Sequence, residues 1–301
     1  MKFNIRVTDN DWFRFLNQIP LDEVNFWMPS GKQGFDALQR GEPLLFKLAA
    51  PNNHIAGGGF FVTFRRLPVS LAWRAFGEKN GIASETQFRA IINKHRAKYG
   101  QHEFDPVIGN IILTAPFFFK RSEWLNPPED WHPNIQQGKN YDTSTAIGAK
   151  LWSEVEQRLQ TTKPTRPLAV HDVPEKPAPV GRGAFEIMVT EAYHRRCAIT
   201  GEKTLPVLKA AHIKPPAKSG INETSNGLLL RADVDILFRR GYLTVTPDYR
   251  VEVSRRIKED YENGRDYYAR QGQPLVTLPA DSRDRPANSL LRWHNENVYL
   301  G

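Results

Sequence analysis

The stretch AAHIKPPAKSGINETSNGLLLRADVDILF, residues 210–238, decides how the second half of this chain folds. VLKAAHI and GLLLR read as short strands, residues 214–225 as the loop between them, and ADVDILFRRG as a helix. His212 then ends the first strand, Asn226 opens the second, and Asp235 lies on the helix. A strand, loop, strand, helix order brings residues 14 and 9 positions apart onto one spot when the helix packs back across the hairpin. Such a set has a chemical use. Hydrolysis of a phosphodiester needs a base for the attacking water and a cation against the charge that grows on the phosphate. His212 suits the base and Asp235 a metal ligand. Asn226 suits a bridge across the loop that holds the histidine in place. The bland alternative is a packed histidine and an Asn-Gly turn.

These residues resemble the HNH endonucleases, whose motif reads His, Asn, His on a ββα-metal finger. CAITG at 197–201, AHIKP at 211–215, NGLLLRAD at 226–233 and the Leu237–Phe238 pair look like the restriction branch of that family. The resemblance implies that His212 is the general base, Asn226 the structural asparagine and Asp235 the residue at the third, metal-binding position. Two positions depart from the pattern. Ala211 precedes the histidine where many members carry a second ligand, and Lys209 cannot replace one. Aspartate at 235 in place of histidine is a harder ligand and shifts the expected metal toward magnesium or manganese. Asp233 reads as a helix N-terminal charge, and Arg231, Arg239 and Arg240 as phosphate contacts or a solvated basic face. Cys197 reads as a small buried residue and His294 as packing in an amphipathic terminal helix.

Outward from this segment, 301 residues give room for two ordinary domains, each with its own core. A single cysteine rules out an internal disulfide and a multi-cysteine zinc cluster. No run of about 18 apolar residues suggests a membrane span, and the first residues lack the apolar core of a signal peptide, so a cytoplasmic location with no membrane partner is expected. The net charge of +8 suits a polyanionic partner. Residues 1–181 hold 22 basic and 18 acidic residues and residues 182–301 hold 19 and 15, so neither half is a basic tail. Five prolines in TTKPTRPLAVHDVPEKPAPVGRG mark an extended connector. The expected division is residues 1–160, a linker at 161–181, and residues 182–301.

The first part reads as mixed α+β: FNIRVT, PLLFKLAA, HIAGGGFFVTF and GNIILTAPFFF as strands, SLAWRAFG and ETQFRAIINKHRAKYG as helices. NFWMPSG at 25–31 and WHPNIQQGKNYD at 131–142 read as irregular loops that present aromatic and polar side chains. Gly57, Gly58 and Gly59 imply a close backbone approach by some neighbour, another strand among the candidates. Phe117, Phe118 and Phe119 read as one buried strand facing both sides.

The order of these strands and motifs resembles the EVE-like branch of the PUA superfamily, mixed β-barrel domains that bind modified bases in an aromatic-walled pocket. Together the halves resemble modification-dependent restriction endonucleases, with an EVE-like α+β barrel followed by a ββα-metal HNH domain. That resemblance implies double-stranded DNA carrying 5-methylcytosine or 5-hydroxymethylcytosine as partner, a flipped base, and a divalent ion, Mg2+ or Mn2+. It places Trp27 and Tyr141 as pocket walls, Ser30 and Gly31 as hydrogen-bonding groups, and Asn134 and Gln137 at the base edge. Flipping costs a few kcal/mol, of which stacking returns roughly 1–3 kcal/mol. One methyl in an apolar niche adds only about 0.8 kcal/mol, several-fold in affinity. Two other readings stay open: a catalytically inactive reader of modified nucleic acid, and a nuclease whose first domain binds RNA or unmodified DNA. One ββα site cuts one strand, so a double-strand break calls for two protomers, as in a homodimer, or two binding events.

Overall fold

The computed structural model describes residues 1–32, 34–98, 100, 103–161 and 179–301, which divide into two units, Met1–Pro179 and Val180–Gly301. The connector expected at 161–181 lies, from 162 to 178, outside the described residues. Val180 and Gly181 belong to the second unit, where Val180 is buried and Gly181 caps a helix.

The first unit runs β1 (Lys2–Thr8), α1 (Asn10–Leu16), β2 (Glu23–Met28), β3 (Pro43–Leu48), β4 (Ile55–Pro68), α2 (Val69–Phe76), α3 (Glu85–Ala97), β5 (Val107–Phe118), β6 (Gly138–Asp142) and α4 (Ala146–Thr161). Its six strands form one sheet in the order β2-β5-β4-β3-β1-β6, parallel only between β1 and β3. Period-2 alternation sends side chains to two cores. Leu44, Phe46 and Leu48 join Trp12, Phe13 and Leu16 of α1 on one face. Phe3, Ile5 and Leu45 join Leu151, Trp152 and Val155 of α4 on the other. Local signals start the helices: the Asp9 carboxylate accepts from the backbone N–H groups of Asp11 and Trp12, and the Ser84 hydroxyl from that of Gln87.

The sheet curls enough for Arg6 of β1 to place Nη2 2.8 Å from Sδ of Met28 on β2. The mixed α+β character is as expected, but no ladder joins β2 to β6 among the described residues, so the sheet is open and curled and does not close into the expected barrel. The glycine run is explained by neighbouring strands. A Cβ on Gly57 would meet the Phe117 carbonyl oxygen at 2.3 Å, and one on Gly58 the Leu44 oxygen at 2.7 Å. Phe117 and Phe118 are half-buried at the end of β5, and Phe119 is fully buried.

The second unit runs α5 (Arg182–Ala192), β7 (Leu208–His212), β8 (Gly227–Arg231), α6 (Ala232–Arg239), β9 (Leu243–Val245), β10 (Val251–Val253), α7 (Arg256–Tyr261), α8 (Arg265–Tyr268) and α9 (Asn288–Asn297). β7 and β8 pair antiparallel with His212 opposite Gly227, and α6 follows at once and packs on both. β9 and β10 form the second hairpin, in register from Val251 opposite Val245. One core of Phe185, Val189, Leu208, Leu228, Leu230, Phe238 and Leu291, among others, joins α5, the two hairpins and α9. Among the described residues no helix is long and apolar enough to cross a membrane.

Candidate active site

The ββα order places His212 at the end of β7, where it is 8% exposed. Phe185 of α5 holds the ring from one side, with centroids 4.0 Å apart and planes 6° from parallel. In the plane, Nε2 lies 2.7 Å from Asn222 Oδ1 and Nδ1 3.1 Å from Arg182 Nη1. The tautomer follows from these partners. Asn222 donates its Nδ2–H to the Val180 carbonyl at 2.7 Å, which turns its oxygen toward the histidine. Nε2 therefore carries the proton and Nδ1 the lone pair, which accepts from the guanidinium of Arg182. Burial lowers the imidazole pKa below its ordinary value. The hydrogen bond to Asn222 raises it, and the charges of Arg182 and Arg239 lower it further. A neutral ring with one defined basic nitrogen is the form a general base requires.

Asn226 is fully buried and spans the loop that follows His212. Its Oδ1 accepts from the Lys214 N–H at 2.9 Å, and its Nδ2 donates to the Lys214 and Ile221 carbonyls at 2.8 and 2.9 Å. The loop is drawn tight around this amide: a Cβ on Gly220 would sit 1.8 Å from the Lys214 oxygen. Asn226-Gly227 is no turn. Gly227 is extended, with φ −122°, and is glycine because α5 crosses it; a Cβ there would meet Val189 Cγ2 at 2.3 Å.

Asp235 sits in the first turn of α6, 6% exposed, and its Oδ1 accepts from Arg239 Nε at 2.8 Å. The link between Asp235 and His212 runs through Arg239, which pairs with the carboxylate and whose charge acts on the ring. Asp233 is held in a fork by Arg231, Nε to Oδ1 at 2.7 Å and Nη2 to Oδ2 at 2.8 Å, with the Tyr267 hydroxyl on Oδ2 at 3.1 Å. Asp233 and Arg231 are thus already paired with one another. Arg239 and Arg240 are exposed on the last turn of the helix. Ala211 is fully buried opposite Leu228 and supplies no side-chain ligand. Among the described residues no group of three His, Cys, Asp or Glu side chains could hold a metal ion. Asp235, paired with Arg239, is a carboxylate that could hold a hard divalent cation, with water and phosphate to complete the site.

Two other expectations sit in structural roles. Cys197 is buried, with Sγ accepting from the Arg231 N–H at 3.2 Å. His294 stacks on Phe238 with centroids 3.8 Å apart, contacts the Phe238 carbonyl through Nε2 and the Thr244 hydroxyl through Nδ1, and is pushed down to about 4 by burial.

The base-pocket candidates of the first unit do not converge. Trp27 is on strand β2, not in a loop; its Nε1–H donates to the Asn80 carbonyl at 2.9 Å and its ring packs edge-on against Phe88. Tyr141 is on β6, the opposite edge strand, stacked on Phe3 with its hydroxyl on Asp130 Oδ1 at 2.8 Å. The two expected walls therefore belong to separate cores. Ser30 Oγ accepts from the Lys32 N–H in the turn after β2, and Gly31 is glycine because the Val107 carbonyl passes 2.4 Å from where a Cβ would stand. Asn134 and Gln137 are exposed; the Asn134 N–H donates to His132 Nδ1, and the Gln137 carbonyl accepts from Val7.

Arg182 and Asn222 escape sequence reasoning. One stands beside the Pro-rich connector and the other inside the loop, and neither position has a periodicity or spacing that ties it to His212.

Residues 197–246 match the model of a family described as HNH endonuclease, so the second unit contains an HNH endonuclease domain. That stretch includes His212, Asn222, Asn226 and Asp235 and leaves out Arg182 and Phe185. Comparison with curated proteins gave no match. Among solved structures the chain is similar to one described as a modification dependent TagI restriction endonuclease, at 14% identity over 93% of this chain and 76% of that one. The TM-score is 0.29, too low to carry an argument.

Proposed function

We propose that the chain is a divalent-metal-dependent DNA endonuclease that acts on DNA containing modified cytosine. In this reading the first unit takes up a flipped 5-methylcytosine or 5-hydroxymethylcytosine and the second hydrolyses the phosphodiester. The observation that carries the nuclease half is the state of His212 inside an HNH domain: a neutral ring, stacked on Phe185, with Nε2–H anchored on Asn222 and a lone pair at Nδ1. His212 takes the proton from the attacking water through Nδ1 once Arg182 moves aside. Asn226 keeps the loop after His212 closed, and Arg182, Arg239 and Arg240 supply positive charge for the phosphate. Asp235 would hold the ion, with water and the DNA phosphate as its other donors, and the bound ion would stabilise the charge that grows on the phosphate and leaving oxygen. The reading of modified cytosine rests on the resemblance of the two halves taken together and on the net charge of +8.

The test is incubation of the purified chain with Mg2+ or Mn2+ and matched duplexes containing cytosine, 5-methylcytosine or 5-hydroxymethylcytosine, beside a His212→Ala variant. Cleavage limited to modified DNA and lost in the variant is expected. Equal cutting of all three would remove the base-reading role. Counting nicks against double-strand breaks as protein concentration rises tests action as a pair of protomers.

A second reading, a reader of modified nucleic acid without cleavage, draws on two specific observations. Arg182 occupies the basic nitrogen of His212, and the described residues contain no three-ligand metal group. Binding to modified DNA with no cleavage under either metal would favour it.

A further inference from the structure

The terminal helix comes up against the loop that follows His212. The Ser225 carbonyl of that loop accepts from the Ala287 N–H at 2.9 Å, one residue before α9 begins. From this anchor α9 turns Leu291 and His294 into the core, leaves Arg292 exposed and keeps Trp293 half-exposed. Lys214 of the loop carries its ammonium over that indole, with Nζ 5.4 Å from the ring centroid. An indole left half in water forgoes much of the burial that so large an apolar group could supply. An ammonium on a ring face is attracted to it but keeps its charge uncancelled. Among the described residues no carboxylate pairs with Lys214. The backbone beneath that charge is fixed: the Lys214 N–H donates to Asn226 Oδ1 at 2.9 Å, and its carbonyl accepts from Asn226 Nδ2 at 2.8 Å. A cation tied at its backbone, steadied at its head and unpaired is suited to an anion that arrives from outside.

Resting on the endonuclease reading above, we propose that Lys214 grips a backbone phosphate of the cleaved strand about two nucleotides from the scissile one, with Trp293 of α9 as its positioning residue. The spacing follows from the chain. Lys214 stands two residues from His212, so their Cα atoms are at most about 7 Å apart. One DNA strand carries a phosphate for every 3.4 Å or about that of helix axis, so the next cation along the loop meets the backbone about two steps away. An ammonium between a ring face and a phosphate keeps both attractions, because the indole lies on one side and the phosphate oxygens accept from the other. Lys218, exposed in the same loop, and Arg292, exposed on α9, continue the positive charge along this flank. Continuity with His212 selects DNA over an acidic peptide as the occupant. The stretch that matches the HNH family ends at residue 246, so the proposal gives a role in substrate binding to a helix outside it.

The test reads binding, with no cleavage involved. Full-length protein in EDTA is titrated against a fluorescein-labelled duplex over a series of salt concentrations, after thermal melting has shown each variant to be folded. The plot of log affinity against log salt is expected to lose about 0.9 of its slope in Lys214→Gln, the loss of one phosphate contact. Trp293→Ala is expected to lose part of that slope, Trp293→Phe to keep it, and Trp293→Ala added to Lys214→Gln to change it no further. A single methylphosphonate, placed about two nucleotides from the mapped cut, locates the contact: it should weaken the wild type and leave Lys214→Gln unaffected. A wild-type slope in Lys214→Gln would overturn the phosphate contact and leave the endonuclease reading standing. A loss in Lys214→Gln that Trp293→Ala does not share would overturn the positioning role of α9. Absence of any salt-dependent binding by the wild type would overturn the endonuclease reading and this proposal with it.

Discussion

The guanidinium of Arg182 stands 3.1 Å from Nδ1 of His212, on the one ring nitrogen that carries a lone pair. The contact both shields the base and depresses its proton affinity, whereas the bond from Nε2 to Asn222 does the reverse. Arg182→Ala should therefore raise the His212 pKa, and Asn222→Ala should lower it. Titration of the His212 ring by NMR, in protein without metal, reads both shifts. Movement in the same direction would refute the assignment of the two nitrogens.

Asn226 joins the two ends of a tight loop with three hydrogen bonds and no water contact. Asn226→Ala leaves one N–H and two carbonyls without that partner. At about 1 kcal/mol net for each bond, a loss on the order of 3 kcal/mol is expected in the stability of the second unit. Denaturant unfolding measures it, and a cost under about 1 kcal/mol would show that the loop closes without the amide.

Asp235→Asn keeps the size of the side chain and an acceptor for Arg239 but removes the charge a divalent ion would need. Metal-stimulated cleavage should fall by more than the roughly 10–100-fold typical of residues that only support a metal ligand. The melting temperature should change little. Cleavage rates across a Mn2+ titration check this, with recovery at high Mn2+ as the mark of weakened metal binding rather than lost chemistry.

His294 is 2% exposed, and its pKa is lowered to about 4 by burial, against about 6.5 in an unfolded chain. The unfolded state therefore binds more protons between these values, so stability rises with pH across that window. The contribution is fully present above pH 6.5 and is lost progressively as pH falls toward 4, on the order of 3 kcal/mol in all. Urea unfolding at several pH values measures the slope. His294→Gln should flatten it, and an unchanged slope would place the acid sensitivity elsewhere.

The ββα unit was readable because each of its signals is local. Residues 208–212 and 227–231 are short apolar strands, and the helix begins at the very next residue. What completes the site was not readable, because Arg182 and Asn222 reach His212 only through tertiary packing of α5 and the loop. In the first unit, NFWMPSG looks like a loop because Pro29 and Gly31 follow Asn25 so closely. Pairing with β5 makes residues 25–28 a strand, and the buried amide of Asn25 donates to Asn80 Oδ1 and Asn110 Oδ1, both at 2.8 Å. GKNYD has one buried residue, Tyr141, and becomes strand only by docking along β1. Where a strand is polar and made by its neighbour, period-2 patterning has nothing to report.

The first strand of the chain lies between β3 and β6, with Asn4 opposite Leu44 on one side and Asn140 on the other. Synthesis proceeds toward the C-terminus, so β1 emerges before either neighbour, gains β3 once residue 48 is out and keeps its other flank unsealed until residue 142 is out. The opposite holds for the HNH unit, whose paired strands all fall within residues 208–253. Closure of distant segments is slow relative to local hairpins. A nascent chain should thus carry an exposed strand edge until residue 142 has been made, and that interval is where a chaperone would meet it.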